Sequence, residues 1–497
     1  MGQSKSLASK IARLLRPRLS DCMVVWLLAG LCFAVPLAGR INDPDIWWHL
    51  RTGELIVNSH SIPRVDPFSF TMFGHPWVLH EWMSEVVFWL TYSRFGFGGI
   101  VFLKGLLTCA IFSVMFLAAR ERTTKLGAVS VAIIVSFMAG VCSWSERPHL
   151  FGYLLLSVLI LLLQRFRKGG SLWPVIPLFA LWINFHGSWL VGLAVLMAAG
   201  AETLWEAVRD KSYSQLSKFA KVIPFVAAAL FINPWPVAYV TYPFQYLGST
   251  HHTSYISEWQ SPDFHDFGFM FFLFTLLALP VVLRVSRSKI RPVELIVVLG
   301  LAGASLYSLR HLPIFALVAA PFLAEVFGSI ELPYKKTSFA TKDMPEPVIL
   351  NWMILLALPL LIYILLPRNG PTPYLDVKKY PARSFDYLAS KPGGGRLLIN
   401  YDWGGYAIFR LWPKGYRVYI DGRADVYGPK MLNRVKILDG LKPSWRSEIK
   451  KANPDVIVWP KDKPLTQALQ MDPKWRRIHL SPKDKEAAIF VPAGDKR

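Results

Sequence analysis

Cysteine is scarce in this chain of 497 residues, and its few thiols show no pairing pattern. The four cysteines are Cys22, Cys32, Cys109 and Cys142, all in or beside hydrophobic runs. A secreted disulfide scaffold has an even set of spaced cysteines in its folded loops. The sequence therefore excludes a disulfide framework for an extracytoplasmic domain.

Acidic residues are also few: 33 Asp and Glu stand against 55 Lys and Arg, which gives a formal net charge of +22. Such an excess is common in nucleic-acid-binding proteins, but here the basic residues cluster in alternate loops between hydrophobic runs. Loops of this kind face the cytoplasm. We therefore predict a membrane protein with its N-terminus inside and no nucleic-acid partner. The basic clusters lie at 5–18, 120–125, 165–168, 209–221, 284–291 and 335–342.

Long hydrophobic runs are abundant, since 53% of the residues are hydrophobic and the mean hydropathy is +0.34. A membrane-spanning helix needs about 20 apolar residues. Some of the runs are short or interrupted by Gly or Pro, and we expect about 11 spans. They lie at 23–39, 99–119, 128–141, 150–163, 172–183, 189–201, 222–232, 267–283, 293–306, 314–326 and 348–366.

The first hydrophobic run is expected to remain as a span, because no small-residue cleavage site precedes residue 42. An odd number of spans that starts inside places the C-terminus outside. The predicted organisation is a basic cytoplasmic N-terminus at 1–21, a transmembrane domain at 22–366 with a first outer loop at 40–98, and an extracytoplasmic domain at 367–497.

The last segment of the chain has a different composition, with short apolar runs between Gly, Pro and charged residues. This pattern and its length of about 130 residues are typical of a small α/β domain. The predicted strands are 396–401, 416–420, 455–459, 477–480 and 487–491. The predicted helices are 406–411, 429–438, 444–452 and 464–470. The fold class is thus an α-helical polytopic membrane protein with a small C-terminal α/β domain.

The first outer loop opens with two carboxylates, two tryptophans and a histidine at 43–49. Asp43 followed by a proline is typical of an N-cap and first helical position, so we predict a helix over 44–57. On that helix Asp45 and His49 share one face. An ionisable group near a membrane is costly and often functional. Asp45 is therefore the first candidate catalytic acid, and Asp43 is a candidate whose alternative role is capping alone.

A second amphipathic segment follows at 80–93, with few charges and several aromatics, and predicts a helix in the membrane interface. Glu81 opens it and is the third candidate catalytic acid. Imidazole and carboxylate are ligands of zinc and manganese, so a divalent metal held by His49, His80 and Glu81 is one hypothesis. The favoured alternative is that these histidines are only hydrogen-bonded.

Two arginine–histidine pairs stand at the predicted outer ends of spans, Arg147 with His149 and Arg310 with His311. Arginine binds phosphate through two parallel hydrogen bonds, whereas anchoring to lipid headgroups is the alternative for either arginine alone. Two pairs on one face favour a phosphate site. His186 lies in a further polar outer segment and is a candidate binding residue.

Two segments of the C-terminal domain, 400–406 and 421–425, follow predicted strands and carry acids and glycines. The carboxyl ends of strands are where α/β sheets place ligands. The favoured alternative is that Asp402 and Asp421 cap helices or attach the domain to the membrane part.

Together these segments resemble a group of bacterial membrane proteins over nearly the whole chain. The shared elements are Asp-Pro-Asp-x-Trp-Trp-His, His-Glu-Trp, Arg-Pro-His, Asn-x-His-Gly, Arg-His, Tyr-Asp-Trp-Gly-Gly-Tyr and Asp-Gly-Arg-Ala-Asp. Here they lie at 43–49, 80–82, 147–149, 184–187, 310–311, 401–406 and 421–425. By topology and by its acidic first loop, the chain is also similar to the GT-C glycosyltransferases, which include protein O-mannosyltransferases, aminoarabinose transferases and oligosaccharyltransferases.

The GT-C resemblance implies transfer of a sugar from a polyprenyl-phosphate donor to an extracytoplasmic acceptor, at a bacterial inner membrane with the C-terminal domain in the periplasm. In that mechanism Asp45 or Asp43 acts as general base on the acceptor hydroxyl. Arg147 or Arg310 offsets charge on the phosphate, and Trp48 offers a stacking face to the sugar. The implied partners are a polyprenyl-phosphate sugar or another lipid, the membrane, and proteins of a membrane complex. No cofactor is implied apart from the metal hypothesis.

Two other classes of function compete with catalysis. One is a non-catalytic GT-C-like scaffold or assembly subunit of a membrane complex, and the other is a transporter or flippase. Transport is disfavoured because no span has an obvious mid-membrane acid, and Lys104 is the main interior charge. Catalysis requires the outer acids to converge, and it predicts that Asp45 faces an open, solvated cavity where its charge has no buried partner.

Overall fold

A computed structural model describes residues 18–38, 41, 43–246, 257–331, 347–365, 379–479 and 487–495. The basic tail before residue 18, the basic loop at 335–342 and most of the junction between the two predicted domains lie outside the described residues.

Helices fill most of the described part of the predicted membrane domain, and each of the eleven predicted spans coincides with one. In chain order they are α1 (Leu19–Ala38), α2 (Ile46–Ser59), α3 (Trp82–Arg120), α4 (Leu126–Ala139), α5 (His149–Arg167), α6 (Val175–Phe185), α7 (Trp189–Asp210), α8 (Ser214–Ala229), α9 (Pro236–Tyr246), α10 (Phe267–Val285), α11 (Pro292–Tyr307), α12 (Leu312–Ser329) and α13 (Val348–Leu365).

Five helical segments of the described chain are long and apolar enough to cross a membrane. They are α3, α5, α7, α10 and the segment Leu309–Ser329 that contains α12. Several of the remaining predicted spans are apolar but shorter than a bilayer requires. The fold supports a polytopic helical membrane protein, and the number of eleven spans stays a prediction.

The first outer loop contains the two predicted helices. Helix α2 begins at Ile46, because Oδ1 of Asp43 accepts a hydrogen bond from the backbone N–H of Asp45 at 2.9 Å and closes a turn before the helix. Asp45 occupies the N-cap position, so the assignment of Asp43 as N-cap was wrong. The second helix is the first part of α3, which breaks at Gly96 with φ 60° and ψ −155°. Only glycine adopts this conformation readily, so Gly96 separates the amphipathic part from the apolar part.

The C-terminal domain is a mixed five-stranded sheet with helices around it. Its strands are β1 (Gly395–Ile399), β2 (Tyr416–Val418), β3 (Val456–Pro460), β4 (Trp475–His479) and β5 (Ala487–Pro492). The order is β2-β1-β3-β5-β4, with β1 parallel to β2 and β3, and β5 antiparallel to β3 and β4. All five strands were predicted to within about two residues, which is the usual uncertainty of element ends. The helices are α14 (Ala382–Ser390), α15 (Tyr401–Leu411), α16 (Ala424–Asp439), α17 (Trp445–Ala452) and α18 (Pro464–Met471).

The first outer loop extends the edge of this sheet. Phe70 donates its backbone N–H to the carbonyl of Val418 at 3.0 Å, and Val418 donates to the carbonyl of Phe68 at 3.1 Å. In addition, the ring of Trp47 on α2 packs edge-on against Tyr406 on α15, with ring centroids 4.7 Å apart. Backbone pairing and aromatic packing therefore hold the loop against the C-terminal domain.

A buried ion triad joins the same two parts of the chain. Arg423 pairs with Asp421 and with Asp66 of the first outer loop, each at 2.8 Å, and all three side chains are fully buried. Asp421 is thus linked to the loop through Arg423. Asp402 does not cap a helix: Asn400 caps α15 by accepting from the N–H of Asp402 at 3.1 Å, and Asp402 is exposed.

Candidate active site

The carboxylates that open the first outer loop meet one arginine from the turn before α5. Nη2 of Arg147 lies 2.7 Å from Oδ2 of Asp45, and its Nε lies 3.3 Å from Oδ2 of Asp43. The tight turn before α2 places both carboxylates on the same guanidinium. The sequence predicted these three residues as site candidates, and the fold brings them together.

The second predicted arginine reaches the same place through a carboxylate that sequence analysis did not select. Glu258 forms an ion pair with Nη1 of Arg147, and its other oxygen lies 3.1 Å from Nε of Arg310. The Arg310 guanidinium also lies over the ring of Trp259, 4.7 Å from its centroid. We name Asp43, Asp45, Arg147, Glu258 and Arg310 the acid–arginine cluster.

A buried lysine supports this cluster from the membrane side. Lys104 on α3 forms an ion pair of 2.8 Å with Glu146, and both side chains are buried. The second oxygen of Glu146 accepts a hydrogen bond from the backbone N–H of Asp43 at 3.2 Å. Lys104 is therefore a partnered charge that helps to fix the first acid of the loop.

Burial changes the acidity of the two aspartates. It raises the pKa of Asp43 to about 7 and also raises the pKa of Asp45, although the charge of Arg147 opposes both shifts. The expected open environment of Asp45 was wrong: its side chain is 13% exposed, and Oδ1 accepts from Nε1 of Trp48 at 3.1 Å. A general base works best when its pKa lies near the working pH, so the raised values suit a proton acceptor.

A second cluster surrounds Glu81, the third predicted acid. Its carboxylate lies 3.2 Å from Nε2 of His186, 3.6 Å from Nε2 of His80 and 3.9 Å from Nε2 of His49. Glu85 on α3 lies 3.2 Å from Nδ1 of His49. We name these five residues the Glu81–histidine cluster. It unites four predicted residues from three separate segments of the chain.

The groups of the Glu81–histidine cluster have pKa values shifted in different directions. Burial alone would lower the pKa of His80, but the Glu81 carboxylate outweighs it and raises that pKa to about 9. Burial lowers the pKa of His186 to about 4 and that of His49 to about 3. Burial would raise the pKa of Glu81, yet His80 and the other imidazoles lower it. Near neutral pH these shifts favour an ionised Glu81 beside a protonated His80, with His49 and His186 neutral.

The same contacts test the metal hypothesis. Nδ1 and Nε2 of His49 face Glu85 and Glu81, and Nδ1 of His80 lies 3.3 Å from the carbonyl of Val78 while its Nε2 faces Glu81. Within the ranges that the structure describes, no group of three or more His, Cys, Asp or Glu is placed to hold a metal ion. The described contacts of His49, His80 and Glu81 are ion pairs and hydrogen bonds, and the metal hypothesis stays a prediction.

Trp48 connects the two clusters. Its indole N–H donates to Asp45, while its ring lies 3.7 Å from that of His49, centroid to centroid. His149 borders the Glu81–histidine cluster, since its ring centroid is 6.4 Å from that of His186 and its Nε2 lies 3.0 Å from the carbonyl of Ser143. Through Trp48, the acid–arginine cluster and the Glu81–histidine cluster are neighbours in the fold.

His311 is the predicted site residue that stays apart. Its backbone N–H donates to the carbonyl of Ser308 at 3.1 Å, and its side chain is half-buried. In the described parts of the chain, no ion pair joins His311 to either cluster. A role for His311 in binding stays a prediction.

The 421–425 segment of the C-terminal domain packs against the site. Gly422 lies against Asp45 and Trp48. Asp425 accepts a hydrogen bond from the Tyr242 hydroxyl at 2.8 Å, and the Tyr242 ring lies 5.5 Å from that of His80. Sequence analysis found this motif but not its position, because the contacts join residues far apart along the chain.

Comparisons with known proteins give a structural likeness without a sequence match. No family model matches the chain, and no curated protein matches it. An oligosaccharyltransferase of Archaeoglobus fulgidus in the apo form aligns with TM-score 0.53 at 12% identity, over 88% of this chain and 69% of that one. AglB from the same organism, an oligosaccharyltransferase in complex with an inhibitory peptide and a dolichol-phosphate, aligns with TM-score 0.52 at 14% identity, over 99% and 75%.

A third solved structure matches along the whole of both chains. ArnT of Cupriavidus metallidurans in the apo state aligns with TM-score 0.54 at 15% identity and covers 98% of each chain. At these identities the likeness concerns the fold. This chain therefore has a fold similar to that of the two oligosaccharyltransferase structures and of ArnT.

Proposed function

We propose that this protein is a membrane glycosyltransferase that transfers a sugar from a polyprenyl-phosphate donor to an extracytoplasmic acceptor. The observation that carries the proposal is the acid–arginine cluster, where Arg147 holds Asp43 and Asp45 beside a second guanidinium, that of Arg310. A proton acceptor next to paired phosphate-binding groups is what this reaction needs. The fold, shared with an oligosaccharyltransferase solved with a dolichol-phosphate, supports the proposal.

In this mechanism Asp45 takes the proton of the acceptor hydroxyl as its oxygen attacks the anomeric carbon. Arg147 and Arg310 offset the charge that develops on the departing phosphate. Asp43 shares Arg147 with Asp45, and its raised pKa makes it the alternative base. Trp48 orients Asp45 through its indole N–H and offers a ring face to the sugar.

The alternative function is a non-catalytic scaffold or assembly subunit of a membrane complex. One observation favours it: both oxygens of Asp45 are already paired, with Arg147 and with Trp48. A scaffold keeps these pairs permanently, whereas an enzyme must release one oxygen of the carboxylate during each turnover.

The test measures sugar release from a polyprenyl-phosphate donor by the purified full chain and its Asp45→Asn variant. Loss of a general base typically lowers the rate by about 10²–10⁴-fold. Asp263→Asn is the matched control, because Asp263 is exposed and pairs only locally with His265. Because Asp45 has a partner in Arg147, thermal unfolding of each variant must be measured as well. Wild-type turnover in Asp45→Asn would exclude Asp45 as the base, and an inactive wild type would leave the scaffold function.

The proposed location is a bacterial inner membrane, with the N-terminus in the cytoplasm and the C-terminal domain in the periplasm. Asp402 provides a test because it is exposed. In a cysteine-free background, Asp402→Cys should react with a membrane-impermeant maleimide added outside intact spheroplasts. Labelling only after lysis would reverse the topology and with it the side of the proposed site.

A further inference from the structure

We propose that the Glu258 carboxylate occupies the position where the phosphate of the donor binds, which we name the seat, and that the lipid phosphate binds there by displacing Glu258. The two guanidinium groups of the seat belong to Arg147 and Arg310. The inference rests on the proposed function and adds a residue that controls how the phosphate enters and leaves.

The geometry of Glu258 is that of a bound oxyanion. One carboxylate oxygen pairs with Nη1 of Arg147, and the other lies 3.1 Å from Nε of Arg310. Arginine binds carboxylate and phosphate by the same charge-assisted hydrogen bonds to two oxygens of one group. Two oxygens of a phosphate can therefore take the positions of the two Glu258 oxygens without a change in the arginines.

The contacts of Glu258 are also the ones in this cluster most open to exchange. Its side chain is 33% exposed and that of Arg310 is 45% exposed, against 11% for Asp43. Exposed ion pairs contribute little free energy because water and salt screen them. The Asp43 carboxylate, in contrast, also accepts from the backbone N–H of Asp45, and the Asp45 carboxylate accepts from the indole N–H of Trp48.

The backbone around Glu258 stays anchored while its side chain exchanges. Ser308 donates its hydroxyl to the carbonyl of Glu258 at 3.0 Å, and Leu309 donates its N–H to the carbonyl of Gln260 at 3.0 Å. Displacement therefore needs a rotation of the Glu258 side chain alone. The carboxylate remains tethered next to the seat, where its effective concentration is high.

The reaction changes the charge of the group that competes with Glu258. The acceptor oxygen bonds to the anomeric carbon, the bond from that carbon to the phosphate oxygen breaks, and the oxygen keeps the electron pair. The acceptor proton goes to Asp45. The donor phosphodiester carries one negative charge, whereas the product monoester carries about 1.5 to 2 negative charges near pH 7. Return of the Glu258 carboxylate therefore helps to release a product that the arginines would otherwise hold.

The test is direct binding of polyprenyl monophosphate to the full chain in nanodiscs, with neutral polyprenol and inorganic phosphate as separate ligands. Glu258→Gln should bind polyprenyl monophosphate about three- to tenfold more tightly than wild type, since one partly exposed competing ion pair is removed. Polyprenol binding should not change. The affinity of Glu258→Gln for inorganic phosphate should increase by a similar factor if the seat alone is enough for binding. It should not increase if the lipid is required.

Glu331→Gln is the matched control, because Glu331 also pairs with an arginine, Arg287, but far along the chain and on an exposed surface. The decisive comparison is a double-mutant cycle. In the Arg310→Gln background, Glu258→Gln should give no gain, since the seat itself is incomplete. Steady-state kinetics of Glu258→Gln should show stronger inhibition by the product lipid.

Three results would overturn the inference. They are equal or weaker binding of polyprenyl monophosphate by Glu258→Gln, a gain that persists with Arg310→Gln, and an equal gain in Glu331→Gln. If Glu258→Gln binds polyprenyl monophosphate more tightly but neither wild type nor any variant transfers sugar, the proposed function is refuted. The role of Glu258 at the seat would still hold. Binding of polyprenyl monophosphate no better than polyprenol by both wild type and Glu258→Gln would refute both.

Discussion

Gly422 of the C-terminal domain lies directly against the carboxylate of Asp45. An ideal Cβ on Gly422 would stand 1.8 Å from Oδ1 of Asp45 and 3.5 Å from Nε1 of Trp48. No side chain fits in that space. The C-terminal domain thus lies directly against the proposed general base and limits where Asp45 can move.

Replacing this glycine is expected to affect the site directly. Gly422→Ala should push Asp45 away from Trp48 and Arg147, with a loss of about 1–3 kcal/mol in unfolding free energy, as is usual for overpacking. Turnover should fall by more than the loss of folded protein explains, because Asp45 loses its orientation as the base. Rates and thermal melts measure the two effects. Gly494→Ala is the control, since a Cβ there meets open space. Equal behaviour of the two variants would contradict this account.

The buried triad that attaches the C-terminal domain should be essential for stability. Arg423→Met removes the charge between Asp421 and Asp66 and leaves two fully buried carboxylates unpaired. Removing one partner of a buried ion pair typically costs about 3–5 kcal/mol. The melting temperature should drop sharply, whereas Arg417→Gln, at an exposed arginine of the same domain, should change it little. A melt of Arg423→Met that matches wild type would show that the triad contributes no net stability.

The pair between Lys104 and Glu146 predicts non-additive mutations. Lys104→Met leaves the buried carboxylate of Glu146 without the lysine cation and should cost about 3–5 kcal/mol. Adding Glu146→Gln removes that charge and should recover part of the loss. A double-mutant cycle in thermal unfolding measures the coupling. Simple addition of the two losses would mean that the residues do not act as a pair.

Stability should depend on pH through the Glu81–histidine cluster. The pKa of His80 is raised from 6.5 to about 9, so its stabilisation is complete below pH 6.5 and is lost as the pH rises through 9. The pKa of His186 is lowered to about 4, so its contribution is complete above pH 6.5 and is lost as the pH falls towards 4. The melting temperature should therefore be highest near neutral pH.

His80→Gln separates these two effects. It should remove the decline in melting temperature between pH 6.5 and 9 and leave the decline on the acid side. His265→Gln is the control, because that side chain is fully exposed. If His80→Gln keeps the wild-type decline above pH 6.5, then His80 is not the group that titrates there.

The sequence by itself determined most of the local structure. The length of the apolar runs predicted the eleven spans, each of which overlaps a helix, and short apolar runs between polar residues predicted the five strands. Both patterns are properties of neighbouring residues. Helix starts were predicted less well. The Asp43 side chain binds the N–H of Asp45, and α2 begins only at Ile46. Helices α15 and α16 begin five residues before their predicted starts, and α14 was not predicted. The candidate acids, histidines and arginines were also visible as residue types in unusual places.

Only the tertiary structure decided which of those residues meet. Arg147 contacts acids about 100 residues before it and Glu258 about 110 residues after it, a separation at which no periodicity carries information. Glu258 had no local signal, since an acid in an outer loop is ordinary. Gly422 belonged to a motif that the sequence did reveal, but its contact with Asp45 joins residues far apart along the chain. Such contacts follow from how helices and sheet pack in three dimensions, so they appear only when the chain is folded.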